Sequence, residues 1–198
     1  MKRNNIILIL SSILLVILSG LFTIVLADDK KGEKMEFQSE VFSQFGEKWA
    51  LLTAGTKDSF NSMTIGWGGM GTLWGKPVIT VYVKPTRYTY KFMNDNDYFT
   101  VSFYPEENRK ALAVMGTKSG RDCDKVKEAD LTPKFLEKSV TFEQAETTFL
   151  CKKIYYDDMI VERFPEEAMK YYDKTRNNGL ENSIHRMYIG EVIDIIKK

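Results

Sequence analysis

Val78-Ile79-Thr80-Val81-Tyr82-Val83 runs directly into Lys84-Pro85-Thr86-Arg87-Tyr88-Thr89. The first six residues are β-branched or aromatic almost throughout, the composition of a pleated strand. After Pro85 the spacing predicts a short helix over Thr86–Asn94, with Thr86 placed to cap it. Similar strand-like runs occur at Trp49–Ala54, Ser62–Trp67, Tyr98–Phe103, Thr147–Tyr156 and Ile184–Ile196, bounded by Gly, Pro, Asn and Asp. Short helices are predicted over Glu106–Met115, where Ala111, Leu112 and Met115 recur at helical spacing, and over Asp122–Ala129 and Pro165–Asp173. About six strands with helices inserted between them imply an α+β domain, mainly β, built on an antiparallel β-barrel.

Composition agrees with one folded domain. The 198 residues are 43% hydrophobic, 13% aromatic and 28% charged, which excludes a disordered tail, a collagen-like repeat and a polytopic membrane protein. The 28 basic and 27 acidic side chains give a net charge of +1. Lys2 and Arg3 are the only charges before Asp28, so the body is close to neutral and lacks the basic footprint that nucleic acid requires. One His and two Cys are too few for a structural zinc site of the usual kind, and no metal is expected.

The N-terminal stretch sets an expectation about compartment. Ile6 to Ala27 carries no charge, and as a helix Ile6–Leu26 would span about 30 Å, the thickness of a hydrocarbon core. Lys2 and Arg3 precede it as in a signal n-region, and Val25-Leu26-Ala27 suits a signal peptidase. A cleaved signal and an uncleaved membrane anchor, both over 1–27, stand open. Either places the rest of the chain outside the membrane, exported or held by its N-terminus. Residues 28–36 then form a charged linker, and 37–198 the folded domain.

Three segments hold more Gly, hydroxyls and cations than a core requires. Asn61-Ser62-Met63-Thr64-Ile65-Gly66-Trp67-Gly68-Gly69 continues to Gly71-Thr72-Leu73-Trp74-Gly75-Lys76-Pro77. It reads either as a glycine-rich hairpin with packed tryptophans or as a place where a ligand approaches the backbone. Lys84 to Thr89 reads either as a capped surface helix or as a phosphate site made of helix N–H groups, a hydroxyl and Arg87. Gly116-Thr117-Lys118-Ser119-Gly120-Arg121-Asp122 can cradle an anion through backbone N–H groups, but matches neither the Walker nor the dinucleotide fingerprint. Cys123 and Cys151 read as a disulfide or as two free thiols, with Cys151 in an apolar strand.

Taken in order, Asn-Ser-Met-Thr, Gly-Thr-Leu-Trp-Gly-Lys-Pro, Lys-Pro-Thr-Arg-Tyr-Thr, Tyr-Phe-Thr-Val-Ser-Phe and Gly-Thr-Lys-Ser-Gly-Arg-Asp resemble the flavin reductase-like proteins, most closely their flavoredoxin-type branch. His185 followed five residues later by Gly190 is similar to that family's closing strand. The resemblance covers about Phe37 to Ile196. It implies an FMN-binding split barrel that forms a homodimer, with a noncovalent FMN near the subunit interface. Carried over by position, Asn61, Ser62, Met63 and Thr64 would line the isoalloxazine and ribityl chain. Lys84, Arg87, Tyr88 and Thr89 would lie on the phosphate side, with Ser102 at the end of its strand. Gly116, Thr117, Ser119, Gly120, Arg121 and Asp122 would close over the cofactor, and His185 would sit near the reactive face as the catalytic residue. The function so implied is a redox flavoprotein that passes electrons from a small-molecule or protein donor to an acceptor outside the membrane. The alternative is a noncatalytic exported module that holds FMN or another phosphorylated planar ligand.

Overall fold

A computed structural model of the chain describes residues 22–27, 34–168 and 185–198. In chain order the strands and α-helices are β1 (Phe22–Ala27), β2 (Lys34–Ser39), α1 (Val41–Gly46), β3 (Ala50–Thr56), β4 (Ser59–Ile65), β5 (Gly68–Leu73), β6 (Lys76–Val83), α2 (Tyr88–Asp95), β7 (Tyr98–Phe103), α3 (Arg109–Thr117), α4 (Lys125–Glu128), β8 (Pro133–Phe135), β9 (Val140–Phe142), β10 (Thr147–Asp158) and β11 (Arg186–Lys197).

Seven strands form one antiparallel sheet in the order β4-β3-β7-β10-β11-β6-β5. Its two edge strands, β4 and β5, are consecutive in the chain and joined only by Gly66-Trp67. Strands lie about 4.8 Å apart, so the edges of a flat sheet this wide would stand about 29 Å from each other. The link from Ile65 to Gly68 reaches at most about 11 Å. The sheet therefore curls until its edges approach, although among the described residues no ladder joins them. This is the expected α+β fold on an antiparallel split barrel.

Curling gives the sheet an inner and an outer face, and strand alternation distributes the side chains between them. Inside, Ala50, Leu52 and Ala54 of β3 meet Ile79, Val81, Phe99, Val101, Phe149 and Tyr188, while Met63 and Met70 from the two edge strands pack against the same cluster. Phe45 of α1 plugs one end, edge-on to Phe103 at 5.5 Å between ring centroids. A side chain at Gly68 would overlap the Phe45 ring, which explains a glycine at the first position of β5. Outside, Leu51, Tyr104, Leu112, Met115, Leu131 and Phe142 form a second cluster under α3 and β9. β3 is thus buried on both faces over Ala50–Gly55.

Several expected elements shift. α2 begins at Tyr88, with Arg87 as its N-cap and no side-chain cap bond, so Thr86 does not cap it. The expected helix over Glu106–Met115 becomes a 3-10 turn at Glu106–Asn108 followed by α3. β5 lies within the glycine-rich stretch and pairs with β6 through a two-residue turn, Trp74-Gly75. Both turn residues have positive φ, 52° and 72°, matching the twist of a tight hairpin. Cys123 and Cys151 are free thiols, and burial pushes the Cys151 thiol far up. The segment expected to be helical over Pro165–Asp173 is described only to residue 168.

The N-terminal expectation is corrected. Phe22–Ala27, read as the end of an apolar helix, is a strand paired antiparallel with Lys34–Ser39, from Phe22 opposite Ser39 to Ala27 opposite Lys34. Thr23, Ile24 and Val25 are β-branched, and the ladder satisfies backbone groups that a helix would have satisfied internally. No helix among the described residues is long and apolar enough to cross a membrane. The exported or anchored placement rested on that helix and is withdrawn with it; residues 1–21 lie outside the described residues.

Gly190 of β11 sits where β11 crosses Phe99, and a methyl there would overlap the Phe99 ring and crowd Cys151 Cβ at 2.8 Å. Gly190→Ala is expected to lower stability by about 1–3 kcal/mol through overpacking. Urea unfolding of the two proteins checks this, and an unchanged midpoint would count against the packing described.

Candidate functional site

β4 presents alternate residues to different layers. Asn61 and Met63 turn toward the barrel mouth, where Asn61 Nδ2 donates to Thr89 Oγ1 at 2.7 Å. Ser62 and Thr64 turn the other way: Thr53 Oγ1 donates to Ser62 Oγ at 2.9 Å, and Thr64 Oγ1 donates to the Leu112 carbonyl of α3. Between β4, the start of α2 and the end of α3 lies a cleft of about 240 Å³. Asn61, Met63, Arg87, Tyr88, Thr89, Gly116, Thr117, Ser119, Arg121 and Asp122 line it, so the structure brings together most of the residues singled out from the sequence. Gly120 presses against Asn61, since any side chain there would overlap Asn61 Oδ1.

The two walls of the cleft exchange arginines. Arg87, just before α2, donates from Nη1 to the Gly116 carbonyl at 3.4 Å. Arg121, on the opposite loop, donates from Nη1 to the Thr86 carbonyl at 3.2 Å and lies over the Tyr88 ring at 4.9 Å. Neither arginine forms an ion pair among the described residues. The other lining cations are Lys118, which pairs with Glu128, and Lys125. Asp122 is the only carboxylate among the described lining residues, so the cleft has a surplus of positive charge alongside the hydroxyls of Thr86, Thr89, Thr117 and Ser119. This donor set suits a phosphate dianion with a hydroxylated arm.

Five of the singled-out residues stand elsewhere. Ser62 and Thr64 turn to the other side of β4, as alternation requires, Ser62 onto Thr53 and Thr64 onto α3. Ser102 is buried outside the barrel, where its hydroxyl bonds those of Thr141 at 2.9 Å and Thr148 at 3.0 Å. His185 is buried at the start of β11, edge-on to Trp67 with ring centroids 5.3 Å apart. Lys84 stands near His185 rather than in the cleft. Burial first, then Lys84 and Arg87, lowers the His185 pKa to about 4, so the ring is neutral at physiological pH.

Sequence reasoning missed Thr86, Met115, Lys118 and Lys125 as lining residues. Thr86 and Lys118 lie inside motifs already singled out. Lys125 gave no signal beyond standing four residues before Ala129, on a helical face that turns out to be buried.

Residues 42–197 match the family model described as the flavin reductase like domain. The chain belongs to this family. Among solved structures it is similar to a flavoredoxin of Desulfovibrio vulgaris (Miyazaki F), at 21% identity and a TM-score of 0.57, covering 76% of this chain and 69% of that one. It is also similar to a flavoredoxin from Methanosarcina acetivorans, at 19% identity and a TM-score of 0.57, covering 76% and 68%. An FMN-binding protein from Thermus thermophilus with bound 1-cyclohex-2-enone is similar at 15% identity and a TM-score of 0.56, covering 75% and 69%. At these identities the likeness establishes the shared fold. No curated protein matches the chain. In this flavin reductase-like domain the cleft falls within the matched residues.

His185 gives the fold a pH signature. The unfolded chain takes up a proton near the ordinary His pKa of 6.5, while the folded state resists it down to about 4. The contribution to stability is therefore complete above 6.5 and lost as pH falls toward 4. The drop in urea midpoint between pH 7 and pH 5 is expected to be smaller in His185→Asn than in wild type. Equal drops would show that His185 does not enter the fold neutral.

Proposed function

We propose that this chain is an FMN-binding redox flavoprotein whose cleft holds the phosphate-bearing arm of the cofactor. The observation that carries the reading is the pair of exchanged arginines, Arg87 and Arg121, each bonded to a neutral carbonyl in a cleft rich in hydroxyls and lined by a single described carboxylate. Arginine suits this role because its guanidinium stays charged and presents several donors to phosphate oxygens. Thr89 and Asn61, already bonded to each other, offer further polar atoms to a hydroxylated chain, and Gly120 lets the loop close against them. A cleft of 240 Å³ is smaller than the roughly 300–1,000 Å³ of sites that enclose a whole ligand of this size. The flat ring would then extend beyond it, on the side of Met63 and Tyr88, where a second copy of the chain would cover it as a homodimer. The exposed Trp67 and Trp74 of the β4–β6 region supply apolar surface for such a contact.

Bound FMN supplies a ring that accepts electrons from a donor and returns them to an acceptor. The chain's own residues bind and orient it. Arg87 and Arg121 would hold the phosphate, and Met63 and Tyr88 would offer an apolar wall. His185, kept neutral by burial and by Lys84 and Arg87, would offer the ring a hydrogen bond without adding charge. Family membership favours an oxidoreductase whose donor and acceptor are small molecules or proteins.

The purified chain is expected to be yellow and to release a noncovalent flavin on heating. Arg87→Ala and Arg121→Ala are each expected to weaken FMN about tenfold to a hundredfold, the value of one charge-assisted hydrogen bond. Riboflavin, lacking the phosphate, should change less than about threefold, within the roughly 0.5 kcal/mol of an indirect effect. Fluorescence titration with both ligands decides; equal losses for the two would refute the phosphate assignment. Bound flavin that no donor reduces in a folded protein would make the chain a holder and not an enzyme.

A further inference from the structure

The cleft opens at an unfavourable end of a helix for an anion. Its floor includes Met115, Gly116, Thr117 and Lys118, the last turn of α3 and the residue after it. The final carbonyls of a helix have no intrahelical partner and carry about half a negative charge between them, which repels phosphate. Here cations take them. Arg87 holds the Gly116 carbonyl, and Lys125 Nζ donates to the Met115 carbonyl at 3.1 Å and the Lys118 carbonyl at 3.3 Å. Lys125 is 4% exposed, the only lysine in the buried class among the described residues. No described carboxylate forms an ion pair with it. An ammonium has three protons, of which two are used on carbonyls, and Lys125 itself lines the cleft.

We propose that charged Lys125 is the positioning residue that makes this helix end accept a phosphate, so that phosphorylated flavin binds preferentially to the form of the protein in which Lys125 is protonated. The inference rests on the FMN reading above. Lys125 ties the end of α3 to the residue that begins the 118–124 loop, neutralises the carbonyls beneath the ligand and keeps one proton for it. An uncharged lysine would keep two donors for the carbonyls but lose both the charge that offsets them and the third proton.

The protonation is within experimental reach. Burial, and secondarily Arg87, brings the Lys125 pKa down to about 8, against a smaller opposing effect of Cys123. The other charged groups around it are Arg121 and Asp122 on the loop, the Lys118–Glu128 pair and Asp124 at the α4 cap. The Cys123 thiol is itself pushed up, chiefly by burial, and arginines stay charged throughout. Below pH 8 the free protein already carries the required proton. Above it, binding must first take one up, and affinity falls about tenfold per pH unit until the pKa of the complex is reached. The ligand phosphate, with its second pKa near 6, is a dianion over the whole of this range.

The test is fluorescence titration of the full chain with FMN and with riboflavin from pH 7 to 9.5, in wild type, Lys125→Met and Lys125→Arg. Wild-type affinity for FMN is expected to be flat to about pH 8 and then to fall about tenfold per unit, while riboflavin, which carries the same ring, stays flat. Lys125→Met should bind FMN at least about tenfold more weakly at pH 7, with no bend in the profile. Lys125→Arg should keep FMN binding at pH 7 and lose the bend, because arginine does not titrate there. Parallel FMN and riboflavin profiles in wild type overturn the proposal, as does a folded Lys125→Met protein with wild-type FMN affinity. If Lys125→Met fails to fold, the wild-type and Lys125→Arg profiles decide alone. Binding of neither flavin by the wild type overturns the functional reading and this inference together, whereas flavin binding without the bend overturns this inference alone.

Discussion

A two-residue link between the opposite edges of a seven-stranded sheet is the constraint from which the rest of this fold follows. Gly66-Trp67 cannot span a flat sheet, so the sheet must close on itself. Closure creates one dry interior, filled from every strand, and leaves an outer face on β3 and β7 that still needs cover. α3 and β9 supply the cover, and for that reason β3 is apolar on both sides. The cleft lies at the seam between the two packings. β4 is the strand that reaches both, sending Met63 inward and Thr64 outward to α3. Moving α3 relative to the barrel would therefore deform the cleft directly.

The electrostatics of the cleft depends on what its cations are not doing. Lys118 pairs with Glu128, whereas Arg87 and Arg121 bond neutral carbonyls across the gap. A guanidinium on a carbonyl keeps its full charge and several free donors, so the site remains attractive to an anion while its walls are held together. An ion pair at the same place would have cancelled the field that a phosphate needs. His185 lies under the same field: the cations that favour an anion also disfavour a proton on the imidazole.

Much of this was legible in the sequence wherever one residue type carried one physical demand. The β-branched run Val78–Val83 reads as a strand and is one, within β6. Gly116 to Asp122, with glycines, hydroxyls and cations in seven residues, reads as an anion loop and lines the cleft. The failures are equally physical. Asn61-Ser62-Met63-Thr64 cannot all face one ligand, because a strand turns every second side chain away. Ser102 obeys the same rule and ends among buried hydroxyls. β5, with Gly68, Gly69 and Gly71, lacks the branched residues that announce a strand; it is fixed instead by the Trp74-Gly75 turn and by pairing with β6. Phe22–Ala27 is apolar enough for a helix, and only its partner β2 makes it a strand. Lys125 was invisible because its role depends on carbonyls that helix α3 leaves unmatched, a property of the folded backbone.

The exchanged arginines have one more consequence. A long, cationic side chain that is free in solvent gives up about 2 kcal/mol of rotamer freedom when a ligand immobilises it. Arg87 and Arg121 are already tethered to opposite walls, and Arg121 is also stacked on Tyr88. Part of that ordering is met when the chain folds, so an anion bound by these arginines would lose less of its interaction energy to immobilising them.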